Sequence, residues 1–284
     1  MNVYEIITDR IIKQLEAGTV PWRKPWNSAE GMPKNLVSKK EYRGINVFLL
    51  SSNGYSSPFW ASYKQIENMG GQVIKGEKGT PVVYWNWIEK NDPETGKPGK
   101  IPFIRYYTVF NVQQTTGLDE KIPHAEEKSN PFSPIESAEN IKSGFHDCPL
   151  NHGNTRAAYN PNSDHILMPN PEDFDSAEEY YSVLFHEMTH STGHKSRLNR
   201  EGCQQVNFGS ETYSKEELVA EMGAAYLSGT AGIENKTIDN SAAYIQGWLS
   251  KLRKDKKIVI YAASLAQKAA DHILGKKFEK EVVA

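Results

Sequence analysis

Cysteine is almost missing from this chain: Cys148 and Cys203 are the only two in 284 residues, and they stand in no metal-binding spacing. That excludes a disulfide framework and a cysteine-based zinc finger. Long apolar runs are missing as well, which excludes a transmembrane helix. The N-terminal MNVYEIITDRIIKQLEAG has no apolar core of the kind a signal peptide needs. Charge of one sign does not accumulate either. A net charge of -2 excludes both a strongly acidic nucleic-acid mimic and a uniformly basic coat. With no internal repeat and a mean hydropathy of -0.62, the expectation is a cytoplasmic protein with no membrane partner, long enough for two domains.

The near-neutral average conceals an asymmetry. Residues 1–112 hold 15 Lys and Arg against 10 Asp and Glu, which leaves the remainder at -7. The same part holds 16 of the 30 aromatics and five of the six Trp. Basic and aromatic residues together suit a single-strand nucleic-acid binder, because bases stack on aromatic faces while cations track phosphates. A Trp-rich core has the same composition. In Val20-Pro-Trp-Arg-Lys-Pro-Trp26 two prolines hold the chain extended. There Trp22 and Trp26, with Arg23 and Lys24 between them, are candidates for stacking and phosphate pairing and equally for anchoring a loop. Lys39, Lys40 and Arg43 surround Tyr42 in a second basic-aromatic stretch.

Apolar spacing predicts a packing helix over residues 3–17, ended by Gly18. Gln72–Lys75 and Pro81–Ile88, on either side of Gly76-Glu-Lys-Gly79, read as a β-hairpin, with Phe103–Phe110 returning as a further strand. Residues 116–134 are polar and proline-containing, which reads as a linker. The expected organisation is therefore α+β in two domains: a small mixed α/β domain at 1–115 and a second domain at 135–284.

The second domain is organised around Tyr180–His194, YYSVLFHEMTHSTGH. Ser176 with Glu179 reads as a capping box, and no Pro or Gly interrupts before Gly193, so the segment is predicted helical. On a helix, His186 and His190 share a face and can close on one metal ion. Glu187 stands where the general base of an H-E-x-x-H metallopeptidase stands. A tetrahedral ion still needs a third protein ligand and an open position. The pattern that adds a histidine six residues on fails, because Ser196 occupies that place although Gly193 is present. A glutamate on a later helix is the other solution. In Glu217-Leu-Val-Ala-Glu221 two carboxylates share a face, with Ser214 and Glu217 as a second candidate capping box. Glu217 is the expected ligand and Glu221 the residue orienting a ligand, with the reverse assignment left open. Glu216 is expected to face water. His194, a turn further on, either assists the site or is structural. His165–Met168 is a candidate edge strand beside the cleft. Zinc, one per chain, suits this donor set.

The chain resembles the ArdC-type antirestriction proteins of conjugative plasmids and related mobile elements. The resemblance rests on PWRKPW, KNLVSKKEYRGINVFLL, WASYKQIENMGGQVIKGEKGTPVVYW and RYYTVFNVQQTTGL in the first half. In the second half it rests on AYNPNSDHILMP, HEMTHSTGHKSRLNR and FGSETYSKEELVAEMGAAYL. It implies a single-strand DNA-binding domain followed by a zincin-like metallopeptidase domain, and protection of incoming DNA from restriction endonucleases. It implies metal and catalytic roles for His186, Glu187, His190 and the Glu217/Glu221 helix. It also implies DNA contacts for Trp22, Arg23, Lys24, Lys39, Lys40, Tyr42, Arg43, Trp60 and Lys64. Two readings follow. One is a zinc-dependent peptidase acting on a host or DNA-bound protein. The other is a non-proteolytic DNA-coating protein whose metal is only structural.

Overall fold

The first helix is capped by its own opening residues. In the computed structural model, which describes residues 2–22, 31–91, 98–123, 134–200, 203, 211–233 and 242–276, α1 spans Val3–Glu16. The Asn2 side chain accepts from Glu5 N–H, and the Glu5 carboxylate accepts from Asn2 N–H. Ile7, Ile11, Ile12 and Leu15 form its buried face, and Gly18 ends it at φ 79°. There follow β1 (Lys34–Asn35), α2 (Ile45–Ser51), β2 (Phe59–Ser62), α3 (Tyr63–Asn68), β3 (Gln72–Val73), β4 (Thr80–Asn91), β5 (Pro98–Asn111) and β6 (Thr115–Thr116).

The main sheet of this half has the order β1-β2-β5-β4, parallel at β1/β2 and antiparallel elsewhere. The hairpin expected across Gly76–Gly79 does not form. Instead β3 pairs with β6, and β4 runs against β5 along its whole length, from Thr80 opposite Val109 to Asn91 opposite Pro98. Gly79 explains the route: a Cβ there would stand 2.2 Å from Thr108 Cγ2, so only glycine lets the chain pass this close to β5. The expected linker at 116–134 begins too early. Thr116 lies in β6, and Leu118 is buried against Gly71, where a Cβ would be only 2.6 Å away. The linker's residues 124–133 lie outside the described residues.

The second half comprises α4 (Pro134–Gly144), β7 (Leu150–Asn151), β8 (Ala158–Asn160), β9 (His165–Leu167), α5 (Ala177–Ser191), α6 (Glu211–Ala231), α7 (Ala242–Lys254) and α8 (Ile258–Ile273). Its small sheet has the order β7-β9-β8. The His165–Met168 segment is thus the central strand rather than the edge: Asp164, at φ 54°, reverses the chain from β8 into β9, and β7 pairs in parallel on the far side. The edge is β8. Ser176 caps α5 by accepting from Glu179 N–H at 3.1 Å, while the Glu179 carboxylate takes Asp175 N–H rather than Ser176 N–H. The second expected capping box is absent, because α6 starts at Glu211 and Ser214 is already inside it. Gly223 lets α6 approach α5, since a Cβ at that position would stand 2.4 Å from Thr189 Cγ2.

The two domains share one continuous core. Phe48 of α2 stacks on Tyr226 of α6 with ring centroids 4.9 Å apart, and Trp22 meets Trp248 edge-on at 6.0 Å. Ile7, Ile11 and Leu15 join the same cluster as Leu249, Leu252 and Val259. Thr8 Oγ1 donates to the Lys256 carbonyl at 2.6 Å, and Arg43 pairs with Asp271 across the boundary. Among the described residues no helix is long and apolar enough to cross a membrane.

Candidate metal centre

Two facing helices build the centre, α5 bringing two histidines and α6 a carboxylate. His186 and His190, four residues apart, place their Nε2 atoms 3.1 Å from each other. Glu217 sets Oε2 3.7 Å from His186 Nε2 and Oε1 3.4 Å from His190 Nε2. Ligand atoms about 2.0–2.1 Å from one tetrahedral ion stand roughly 3.3 Å apart, so these separations fit a single small cation. Among the described residues this is the one group of three His, Cys, Asp or Glu donors that converges in this way, with all ligand atoms within 4.8 Å.

The protonation pattern points the same way. His190 Nδ1 faces Glu216 Oε1 at 3.3 Å, and a carboxylate can only accept, so Nδ1 carries a hydrogen and Nε2 is the atom turned into the cage, where its lone pair can meet an ion. Burial works against a charge on His190, yet hydrogen bonds to Glu216 and Glu217 outweigh it and push its pKa up to about 10. The cage is a cation site by construction, and its donors suit a divalent metal.

Glu187 lies beside the cage and is buried. Its Oε2 accepts the backbone N–H of Tyr159 at 2.7 Å. One oxygen is therefore anchored to edge strand β8. Glu221, one turn beyond Glu217, is outside the converging group. His194 is also outside it. Its Nδ1 lies 2.7 Å from Ser196 Oγ, 3.3 Å from Ser196 N and 3.6 Å from Asp164, which ties down the turn after α5.

Glu216 does not face water. Residues adjacent on a helix diverge by about 100°, so Glu216 turns away from Glu217 and runs behind His190, where Arg200 grips both its oxygens at 2.9 and 2.6 Å. Burial alone would raise its pKa, but Arg200 and His190 hold it below the usual carboxylate value. Arg200 carries no local sequence signal, since the turn that returns it to α6 is visible only in three dimensions. Tyr159 acts through its backbone amide, which no side-chain pattern reveals.

The expected DNA residues divide. Trp22, Trp60 and Tyr42 are 1%, 2% and 8% exposed and belong to the interior, a correction to the stacking role expected for them. Trp22 Nε1 donates to Tyr244 Oη at 3.3 Å, Trp60 packs edge-on against Tyr55, and the Tyr42 hydroxyl accepts from Asn35 Nδ2 at 3.4 Å. Their large apolar rings are spent on packing. Arg43 is committed to Asp271. Lys39, Lys40 and Lys64 are exposed. Arg23, Lys24 and Trp26 lie outside the described residues. Among the described residues, the exposed aromatics of this half are Tyr63, Tyr106 and Tyr107, at 60%, 46% and 44% exposure.

Comparison with known proteins agrees with both halves. Residues 1–110 match the family model for the N-terminal domain of anti-restriction factor ArdC, and residues 137–265 match that for a zincin-like metallopeptidase. The chain is similar to a crystal structure of antirestriction ArdC protein from the R388 plasmid in its metal-free form, at 40% identity and a TM-score of 0.76, covering 97% of this chain and 98% of that one. A Mn(II)-bound structure of the R388 protein matches at 37% identity, TM-score 0.74 and the same coverage. A DNA primase TraC of Escherichia coli is 38% identical over 99% of this chain, which spans 27% of that protein's length.

Proposed function

Since the chain belongs to the ArdC antirestriction family, we propose that it holds single-stranded DNA on its first domain and hydrolyses peptide bonds at the His186–His190–Glu217 centre, protecting incoming DNA from restriction endonucleases. The observation that carries the peptidase reading is the Glu187–Tyr159 hydrogen bond, which joins an acidic side chain, an edge strand and a metal cage in one place.

A divalent ion there, for which zinc suits the donors and of which Mn(II) is the example in an R388 relative's structure, would supply a Lewis acid and lower the pKa of a water toward neutral. His186, His190 and Glu217 hold the ion. Glu187 takes the proton from the attacking water and returns it to the leaving amine. Its Oε2 is held by the Tyr159 N–H, which leaves Oε1 for the proton transfer. An extended peptide bound along β8 would lie on the side where Glu187 reaches the strand. Among the described residues the cage has three protein donors, whereas a structural zinc site normally has four. This supports catalysis over a purely structural metal.

For DNA, the support is the exposed set of Lys39, Lys40 and Lys64 with Tyr63, on a half that carries the chain's excess of basic residues. Lysines provide the salt-dependent phosphate term and an exposed ring provides stacking.

The test is digestion of unfolded protein and peptide mixtures by the Zn²⁺-loaded full chain, read by mass spectrometry beside Glu187→Gln. The native chain should generate new peptide termini, and the variant should generate none while retaining metal and single-stranded DNA. Cleavage that survives Glu187→Gln overturns the mechanism, and a native chain that cuts nothing overturns the peptidase reading.

A further inference from the structure

Behind the cage lies a buried ion pair that the reaction above leaves without a task. Glu216 Oε1 is shared between His190 Nδ1 at 3.3 Å and Arg200 Nη2 at 2.6 Å, and Oε2 accepts from Arg200 Nε at 2.9 Å. The guanidinium spends its other donors on Thr192 Oγ1 at 2.7 Å and the Thr189 carbonyl at 2.8 Å, both on the last turn of the histidine helix or at its end. Its own backbone N–H donates to the Gly193 carbonyl at 2.9 Å. Gly193 makes the approach possible. A Cβ there would stand 2.6 Å from Cys203 Cβ and 2.9 Å from Arg200 Nη2. The glycine of the H-E-x-x-H-x-x-G portion thus admits an arginine behind His190, while Ser196 stands at the position where the longer pattern would have a third histidine.

Both partners of this pair are only 5% exposed in their side chains. Removing two opposite charges from water is costly, and a buried pair is a weak source of net stability. What it does supply is direction. It bolts the C-terminal end of α5 to the start of α6, the two helices that deliver the metal ligands, and its shared oxygen fixes one histidine tautomer.

We propose that Glu216 and Arg200 are positioning residues of the metal centre: Glu216 holds the Nδ1–H of His190 so that Nε2 presents its lone pair to the ion, and Arg200 holds Glu216 in place. The inference rests on the reading of His186, His190 and Glu217 as metal ligands. On this helix the orienting carboxylate directly precedes the ligand Glu217, whereas the sequence placed it four residues after, at Glu221.

The experiment titrates Zn²⁺ into the full chain against a chromophoric chelator, for the native protein, Glu216→Gln, the double variant Arg200→Met/Glu216→Met and Glu217→Ala. Each is paired with a melting curve of the metal-free form. Outer-shell partners of ligating histidines contribute roughly 10–100-fold in affinity. Glu216→Gln should therefore weaken Zn²⁺ by about that factor while keeping one ion per chain, and Glu217→Ala should abolish tight binding. The double variant removes both charges together and leaves neither buried alone. It should melt close to the native metal-free protein and still show the affinity loss. A merely structural pair gives the opposite result, a lowered melting point with native affinity. Native Zn²⁺ affinity in the folded double variant overturns the proposal. A native chain that takes up no Zn²⁺ overturns the cage and the proposal with it.

Discussion

The ring of Phe48 lies 4.9 Å from that of Tyr226, stacked with the planes 28° apart, and both are buried. One comes from the N-terminal domain and the other from the helix that carries Glu217, so the two domains are joined through a core contact rather than a wet interface. Phe48→Ala leaves a cavity at that junction and should cost about 3–5 kcal/mol of stability. Denaturant unfolding followed by both Trp fluorescence and far-UV signal should remain a single transition, shifted as a whole. Separate transitions, with only one of them moved, would show that the shared core does not couple the domains.

Trp60 and Tyr63 stand three residues apart and face opposite fates, 2% against 60% exposed. Trp60→Ala should destabilise by about 3–5 kcal/mol and leave the salt dependence of DNA binding unchanged in whatever protein remains folded. Tyr63→Ala should barely move the melting point and should weaken single-stranded DNA by about 1–3 kcal/mol, one stacked base. Fluorescence anisotropy at several salt concentrations separates the two effects. Equal DNA affinity for Tyr63→Ala and the native chain would remove this ring from the binding surface.

The metal ligands were legible in the sequence because their geometry is local. Four residues along a helix bring His186 beside His190, and no tertiary knowledge is needed for that. Glu217 needed one further inference, a later helix, and its carboxylate is the one that converges. The supporting residues were not legible. Glu216 and Arg200 meet through a turn after α5, and Tyr159 contributes a main-chain N–H. Composition misled at Trp22 and Trp60 because a ring that can stack on a base also fills a core, and spacing does not tell the two apart. The pairing of β4 with β5 was missed for a similar reason. A Gly-containing turn between two short strands looks like a hairpin unless the long partner strand is known.

Asp164 carries a second testable charge. Hydrogen bonding to Arg197, against the opposing effect of burial, with further help from Tyr159, lowers its pKa from 3.8 to about 2. Because the folded value is depressed, the stabilisation is fully present above pH 3.8 and is lost as pH falls through about 2. Asp164 sits at φ 54°, where Asn is also tolerated. Asp164→Asn therefore removes the charge without straining the turn. The variant should be less stable than the native chain at pH 5–7, with the difference shrinking steadily between pH 4 and 2. A difference that stays constant with pH would assign the effect to shape instead of charge.

Proton and metal compete for His190. In the metal-free chain its pKa is raised from 6.5 to about 10, since Glu216 and Glu217 outweigh the opposing effect of burial. A raised folded value means that this stabilisation is complete below pH 6.5 and disappears as pH rises through about 10. The ion needs Nε2 free, so binding must expel the proton held there. At pH 7–8 calorimetry in buffers of different ionisation enthalpy should show about one proton released per Zn²⁺ bound, and apparent affinity should climb about tenfold per pH unit in that range. Metal should also raise the melting point: an ion at 100 times its dissociation constant adds about 2.7 kcal/mol to the folded state. Chelation should reverse this in the native chain and have no effect in His190→Ala. Binding without proton release would mean that His190 enters the site already neutral.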